Sequence, residues 1–506
     1  MWGFSMAATK VLRGHMRSCT LHGVEPAPVM VEVDVGFGVP GMFIVGMVDT
    51  AVQEAKHRVR AAIKAAGFEM PAERRIVVSL APADLRKSGS SFDLPIALAL
   101  LIALGQVPAE PFEGMMAVGE LTLEGGVRPV NGLLAYAQGA VQQGLALLSA
   151  PVDMNLPQLP GLQHSCISRL GQLHTGELDS PSRRASRPAP SAPDYRDVVG
   201  QDTAVRALTI AAAGGHGALL VGPPGSGKSM LARRLPSILP PLSPQEQVEA
   251  AVIHSVAGYD VSSIAAGVRP FRAPHHSATV PSLVGGGNPL RPGEASLAHN
   301  GVLFLDELGE FSSAALQGLR QPMEEGEIAL CRADGRAVFP ARFQLLAASN
   351  PCPCGYLGDR EKNCSCSDNQ VNRYQGKLGG PLRDRIDLSC EVMRVDPAKV
   401  MRTGQGVSSR KLADQVAAAR ERAAARGEEC RALASTVPSQ VIAACGLTGA
   451  QRLLIEEMAR MHQLSGRGII RVLRVARTIA DLGGEQTVSD DCLLEALMFR
   501  GVGGLE

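Results

Sequence analysis

The chain has 506 residues, too many for one hydrophobic core, so two to four domains are the starting expectation. Its 45% hydrophobic and 4% aromatic content is that of an ordinary α/β protein, which excludes the fibrous, disordered and disulfide-stapled classes. A net charge of +1 excludes a globally basic nucleic-acid binder but leaves room for a local basic patch.

The longest apolar run, Leu94 to Gly105, falls well short of the roughly 20 residues that a membrane-spanning helix needs. The N-terminus carries no apolar segment followed by a small-residue cleavage site, and a cytoplasmic protein without membrane partners is expected. There are 11 cysteines, and those between 352 and 366 are clustered. In a reducing compartment such a cluster suggests a metal before it suggests disulfides.

In chain order, residues 1–20 show weak organisation and are left unassigned. Val29, Val31, Val33 and Val35 alternate with Met30, Glu32 and Asp34, so a half-buried strand is expected over Val29–Val45. A helix is expected over Asp49–Gly67, a strand over Arg75–Leu80, a buried helix over Leu94–Leu104 and another helix over Leu133–Gly144. Residues 21–179 thus form an α+β domain without a phosphate loop. The Pro/Ser-rich stretch that follows cannot bury a core, and 180–194 read as a linker.

A second domain is expected over 195–396. Ala218-Leu-Leu-Val is a short apolar strand running into Gly222-Pro-Pro-Gly-Ser-Gly-Lys-Ser and then a helix. Gly222, Gly225 and Gly227 allow a loop whose N–H groups face one anion, and the helix adds its positive dipole end. Lys228 is placed to reach the β- and γ-phosphates of a nucleotide, and Ser229 to ligate Mg²⁺. Gly301-Val-Leu-Phe-Leu-Asp-Glu reads as a buried strand delivering Asp306 and Glu307 to its C-terminal edge. Asp306 would hold Mg²⁺, and Glu307 would orient or deprotonate the attacking water. Asn350, ending the Phe343–Ala348 strand, would position the same water or simply cap a loop. Beyond Asp396 the pattern is helical throughout, so 397–506 read as a helical lid.

Cys352-Pro-Cys354 and Cys364-Ser-Cys366 put four thiols on one loop, able to enclose Zn²⁺ tetrahedrally. Reduced cysteines in an ordered loop are the other reading, because the spacing is tighter than the commoner CxxC. His275, His276 and His299 read as hydrogen-bonded structure. Arg269, Arg272 and Arg291, around Gly285-Gly-Gly, are candidate DNA contacts, since aromatic stacking residues are sparse.

These motifs, together with Gly380-Pro-Leu-Arg-Asp-Arg-Ile-Asp, resemble AAA+ ATPases of the magnesium-chelatase branch. Phe271-Arg-Ala-Pro-His-His, Val284-Gly-Gly-Gly and Arg291-Pro-Gly-Glu-Ala-Ser-Leu-Ala-His-Asn resemble the bacterial YifB/ComM family, over about Leu21 to Arg500. The resemblance implies an α/β fold with an AAA+ parallel sheet, a homo-hexameric ring, ATP and Mg²⁺ as ligands, and no other small-molecule substrate. ComM-type members act as DNA branch-migration helicases in natural transformation, which implies single-stranded or branched DNA as partner. Arg385 matches the family's arginine finger and Arg467 its sensor-2 arginine. Arg471, Arg474 and Arg477 share the helix face of Arg467, and a solvated face is the alternative for them.

The N-terminal domain resembles the Lon-protease fold through Gly89-Ser-Ser-Phe-Asp-Leu-Pro and Val118-Gly-Glu-Leu-Thr-Leu-Glu-Gly-Gly. Ser91 falls near the nucleophile position, but Leu134 stands where a lysine base would be. Leucine cannot take a proton, so no protease activity is expected. The rival readings are an AAA+ remodeller of a protein or metal-chelatase partner, and a nucleotide-switched DNA clamp.

Overall fold

Arg13, His15 and Arg17 point outward while Gly14, Met16 and Ser18 are buried, the two-residue repeat of a strand with one face in the core. This strand, β1 (Leu12–His22), pairs antiparallel along its whole length with β2 (Glu25–Gly36). The first sheet therefore begins inside the stretch left unassigned from sequence. Of its inward residues, Gly14 and Ser18 are small and not apolar, which dilutes the signal that Met16 gives. A Cβ on Gly14 would lie 2.2 Å from the Ala99 carbonyl oxygen, so the helix behind the strand leaves no room for a side chain.

The computed structural model describes residues 12–181, 193–287, 290–332, 335–359, 361–379, 385–396, 406–427 and 437–500. The single strand expected over 29–45 is two strands, β2 and β3 (Gly41–Val45), parted by a turn at Phe37–Pro40. β4 (Arg75–Ala81) lies between them, antiparallel to β2 and parallel to β3. β5 (Met115–Ala117) runs parallel to β1, and a separate hairpin joins β6 (Glu120–Leu121) to β7 (Val127–Arg128). β8 (Ala146–Ser149) and β9 (His164–Cys166) complete a mixed sheet of order β3-β4-β2-β1-β5-β8-β9. Helices Thr50–Ala65 and Asp93–Ala103 share one apolar cluster with it, including Val31, Val33, Val59, Ile63 and Leu98.

The second sheet is wholly parallel. β10 (Ala218–Val221), β11 (Phe271–Arg272), β14 (Val302–Leu305), β17 (Gln344–Ser349) and β18 (Leu388–Glu391) take the order β11-β14-β17-β10-β18. Every residue of β10, β14 and β17 is buried, as strands covered on both faces require. Two hairpins stand outside it, β12 (Gly285–Gly286) with β13 (Arg291–Pro292), and β15 (Glu327–Arg332) with β16 (Gly335–Pro340).

Helices Ser409–Ala425, Pro438–Cys445, Gly449–Met461, Gly466–Gly483 and Asp490–Met498 occupy the region whose pattern is helical throughout. Val416, Val472, Leu473, Ala476 and Leu493 from these helices join Leu220, Phe304 and Leu346 from the sheet in one core. No helix among the described residues is long and apolar enough to cross a membrane.

The two sheets are tied by packing as well as by the chain. Helix Leu133–Gln142 meets helix Pro244–Ala257, and Leu134 and Ala135 share an apolar cluster with Ala250, Ala251 and Val252. Gly132 N–H donates to the Ser255 carbonyl at 2.8 Å across this seam. Most of the Pro/Ser-rich linker, 182–192, lies outside the described residues.

Candidate functional site

β10, β14 and β17 are parallel neighbours, so the segments leaving their C-terminal ends converge on one edge. From β10 comes the loop Gly222–Gly227, followed by helix Lys228–Ala232. Only glycine fits at 222, because an added Cβ would sit 2.1 Å from the Val392 carbonyl oxygen. Gly227 takes φ +94, the left-handed backbone that lets the loop turn into the helix.

Lys228 is almost fully buried, and its ammonium donates to the carbonyls of Gly222 at 2.7 Å and Pro223 at 2.9 Å. A third bond, at 3.2 Å, goes to Asn350 Oδ1, which arrives from the end of β17. Burial pulls the Lys228 pKa down, while Asp306 and Glu307 work against that shift. Ser229 Oγ donates to Asp306 Oδ2 at 2.6 Å. A hydroxyl and a carboxylate meeting in this way are the hard oxygen pair that Mg²⁺ selects, so the residues present fit that ion. Glu307, just beyond β14, has φ +53, and its N–H donates to Asp306 Oδ1 at 3.1 Å. A left-handed glutamate is strained, and such strain gathers where function over-determines the backbone.

Arg385 and Arg467 are brought together, but away from Lys228. With Arg471 and Arg474 they line a cavity of about 640 Å³ that also touches Gly217 and Asp387. Gly217 precedes β10 and Asp387 precedes β18, whereas the phosphate loop follows β10, so the arginines sit at the opposite edge of the sheet. Arg385 is ion-paired with Glu324, a partner that sequence reading did not name. Burial, then the charges of Arg471, Arg320 and Arg467, lower the Arg385 pKa. Residues 380–384 of the motif around Arg385 lie outside the described residues.

A solvated face for the other arginines is not what the structure has. Arg477 is buried and bonds to Asp481 at 3.1 Å and the Glu485 carbonyl at 2.7 Å. Arg471 lies 3.7 Å from Asp387. Two of the three arginines offered as DNA contacts are likewise occupied, Arg269 by Glu246 at 3.1 Å and Arg272 by Glu294 at 2.6 and 2.8 Å. Arg291 is exposed, and so is Arg336 on the other hairpin. Both border a cavity of about 850 Å³ that is also lined by Ser88, Ser90 and the buried Ser91.

Cys352, Cys354 and Cys364 hold their sulfurs 3.4 to 3.6 Å apart, and the four thiols including Cys366 lie within 4.8 Å of one another. A zinc ion with bonds of about 2.3 Å sets a tetrahedral edge of about 3.8 Å, so the donor set fits zinc closely. Desolvation opposes it, but the N–H groups of Tyr356 and Ser365 hold the Cys354 thiol down to about 5, favouring thiolate. The cluster abuts the phosphate loop. A Cβ on Gly355 would lie 2.6 Å from the Pro224 ring.

One neighbour of the site was read from sequence as ordinary structure. His276 Nδ1 lies 3.2 Å from Glu307 Oε2. Its signal was the position of His275-His276 downstream of a strand that pairs with β14, a pairing not legible in a two-residue strand.

Family models match most of the chain: magnesium chelatase, subunit ChlI over 194–400, subunit ChlI of Mg-chelatase over 31–153, and magnesium chelatase, subunit ChlI C-terminal over 406–500. The chain is 42% identical to YifB of Salmonella typhimurium, covering 95% of both proteins. It is 40% identical to competence protein ComM of Haemophilus influenzae, covering 95% of this chain and 96% of that one. A magnesium-chelatase 67 kDa subunit of Chlorobaculum parvum is 29% identical over only 31% of this chain and 23% of its own. Phosphate loop, acidic strand end, three successive chelatase-type regions and end-to-end likeness to both proteins agree, and the chain belongs to the YifB/ComM family of magnesium-chelatase-like AAA+ proteins.

Proposed function

We propose that the protein is a Mg²⁺-dependent ATP hydrolase that assembles into a hexameric ring and drives branched DNA. The observation that carries the hydrolytic part is the convergence of Lys228, Ser229, Asp306 and Asn350 at one sheet edge. Lys228 would give up its carbonyl partners for the β- and γ-phosphates, since its protons are already aimed into the loop. Ser229 and Asp306 would hold Mg²⁺, which neutralises developing phosphate charge when bound. Glu307 and Asn350 would orient the attacking water.

Arg385 and Arg467 would serve a neighbouring subunit's nucleotide. The four-residue β10 is about 13 Å long at strand rise, and it separates the arginine edge from the phosphate edge. A guanidinium across that distance supports a shared site, in which hydrolysis in one subunit depends on contact with the next. The four-thiol loop would hold structural zinc.

The DNA part rests on the end-to-end likeness to a competence protein and on exposed Arg291 and Arg336, whose six-fold repetition would ring a channel with charge. ATPase activity should rise severalfold with forked or four-way-junction DNA, accompanied by ATP-dependent strand movement. Absence of both would favour the second reading, a remodeller of a protein or chelatase partner, which the chelatase-subunit models support. DNA binding with turnover too slow for movement would favour a clamp.

A further inference from the structure

We infer that the cavity of about 850 Å³ between the N-terminal sheet and the two hairpins of the parallel sheet is a second anion site, built to take phosphate groups. It shares Arg291 and Arg336 with the DNA reading above but does not need that reading, because phosphate on any carrier meets the same donors. Its basic side chains come from both sides of the seam. Arg86 belongs to the N-terminal domain, Arg291 to the β12–β13 hairpin and Arg336 to the β15–β16 hairpin. The two acids on the wall are already occupied. Asp49 caps helix Thr50–Ala65, accepting from the N–H groups of Val52 at 2.9 Å and Gly89 at 3.0 Å, and Glu120 accepts from the Ser90 hydroxyl. Thr50 and Ala51 also line the cavity, and the first turn of their 16-residue helix carries no acidic side chain. The positive end of that helix dipole therefore favours an anion in the same space.

The observation that points to a ligand is Ser91. The residue is 3% exposed, it lines the cavity, and its Oγ has no hydrogen-bond partner among the described residues. Even a bond to the neighbouring Tyr136 hydroxyl would leave one of the two protons without an acceptor. His22 Nε2, from the same wall, is buried and equally without a partner among the described residues. A buried hydroxyl left unmatched is costly, and an oxyanion reaching it removes that cost. Lys87, the buried ammonium nearest to Ser91 in sequence, donates to the Pro82 carbonyl, so it does not turn the hydroxyl into a nucleophile. What remains is a set of hydroxyl and guanidinium donors, the kind that phosphate oxygens select. A ligand held there touches both sheets at once.

The test uses the full-length Lys228→Ala protein, which weakens the phosphate loop as a competing site. Two probes are titrated, inorganic pyrophosphate by calorimetry and a short fluorescein-labelled oligothymidylate by anisotropy. Ser91→Ala in this background should weaken binding of at least one probe about 10-fold and leave the melting temperature unchanged or raised, since an unpartnered hydroxyl adds nothing to the fold. Ser88→Asp, which sets a like charge on the wall, should weaken the same probe about 10-fold or more. Loss for both probes identifies the phosphate group itself, loss for pyrophosphate alone a small phosphorylated ligand, and loss for the oligonucleotide alone a phosphodiester strand; each supports the inference. Binding of neither probe, unchanged affinity for both in either variant, or a loss in S91A accompanied by a lowered melting temperature would overturn it. If S91A does not fold, S88D decides alone. The DNA reading fails separately, when the oligonucleotide does not bind while pyrophosphate still responds to the substitutions.

Discussion

Lys228 and Glu307 carry the sharpest expectations at the scale of single residues. Lys228→Ala removes the ammonium that bonds the Gly222 and Pro223 carbonyls, and E307Q keeps shape while removing the negative charge. Each should cut ATP turnover by at least about 100-fold, with nucleotide binding weakened in the first and kept in the second, read by hydrolysis and fluorescent-nucleotide titration. Near-normal turnover in either variant would remove these assignments. Asp387 makes a different prediction. Burial would raise its pKa, but the bond from His216 and the charges of Arg474 and Arg471 hold it down to about 2. A depressed carboxylate adds stability above its unfolded pKa and loses it as pH falls through the folded one. The melting temperature should therefore drop between about pH 4 and pH 2, and Asp387→Asn should flatten that drop, as followed by circular dichroism. Lys228, Ser229, Asp306 and Asn350 were legible in sequence because each ends or follows a buried strand with a recognisable apolar run. Glu324 and His276 were not, since their partners, Arg385 and Glu307, lie far along the chain and only the fold brings them together.

Among the elements, the four-cysteine loop is the one whose consequence reaches furthest. Its Gly355 rests on Pro224 of the phosphate loop, and the following helix, Asp368–Gly379, sets Tyr374 against Ser349 at 3.4 Å. Gln375 also bonds the Pro351 carbonyl at 3.3 Å. The thiols thus fasten a strap across the nucleotide edge. Protein purified without chelator should carry about one zinc per chain, and Cys354→Ser should lose it together with several degrees of melting temperature and part of the nucleotide affinity. Well under one zinc, by plasma emission, would leave the strap as reduced cysteines. Legibility differs here for a physical reason. Helices of the C-terminal region announced themselves through their apolar pattern, and in the structure the side chains of Ser465 and Thr448 cap two of them by bonding N–H groups in the first turn. β1 did not, because Gly14 and Ser18 face the core, and β3 merged with β2 in the reading although its inward residues, Met42 and Ile44, are even-numbered where those of β2 are odd-numbered.

For the whole molecule, the decisive question is whether one nucleotide site is built by two chains. A mixture of Lys228→Ala and Arg385→Ala subunits should recover part of the ATPase activity that each variant lacks alone, because some interfaces then pair an intact loop with an intact arginine. No recovery, with mixed assembly verified by mass, would mean that Arg385 serves its own chain. The seam between the sheets bears on the same question. Leu134 → Lys should destabilise the protein by about 3 kcal/mol or more, visible as a lowered denaturant midpoint, because a charge would be buried among Ala250, Ala251 and Val252.

That seam also bears on how movement could pass between the two sheets. Leu134, at the position where the Lon-protease resemblance would put a lysine base, is buried against Ala250, Ala251 and Val252. A proton-accepting side chain there would break the apolar contact that joins helix Leu133–Gln142 to helix Pro244–Ala257. Deuterium exchange should therefore show the Gly132 amide, bonded to the Ser255 carbonyl, opening together with the helix Pro244–Ala257 and not with its own sheet alone.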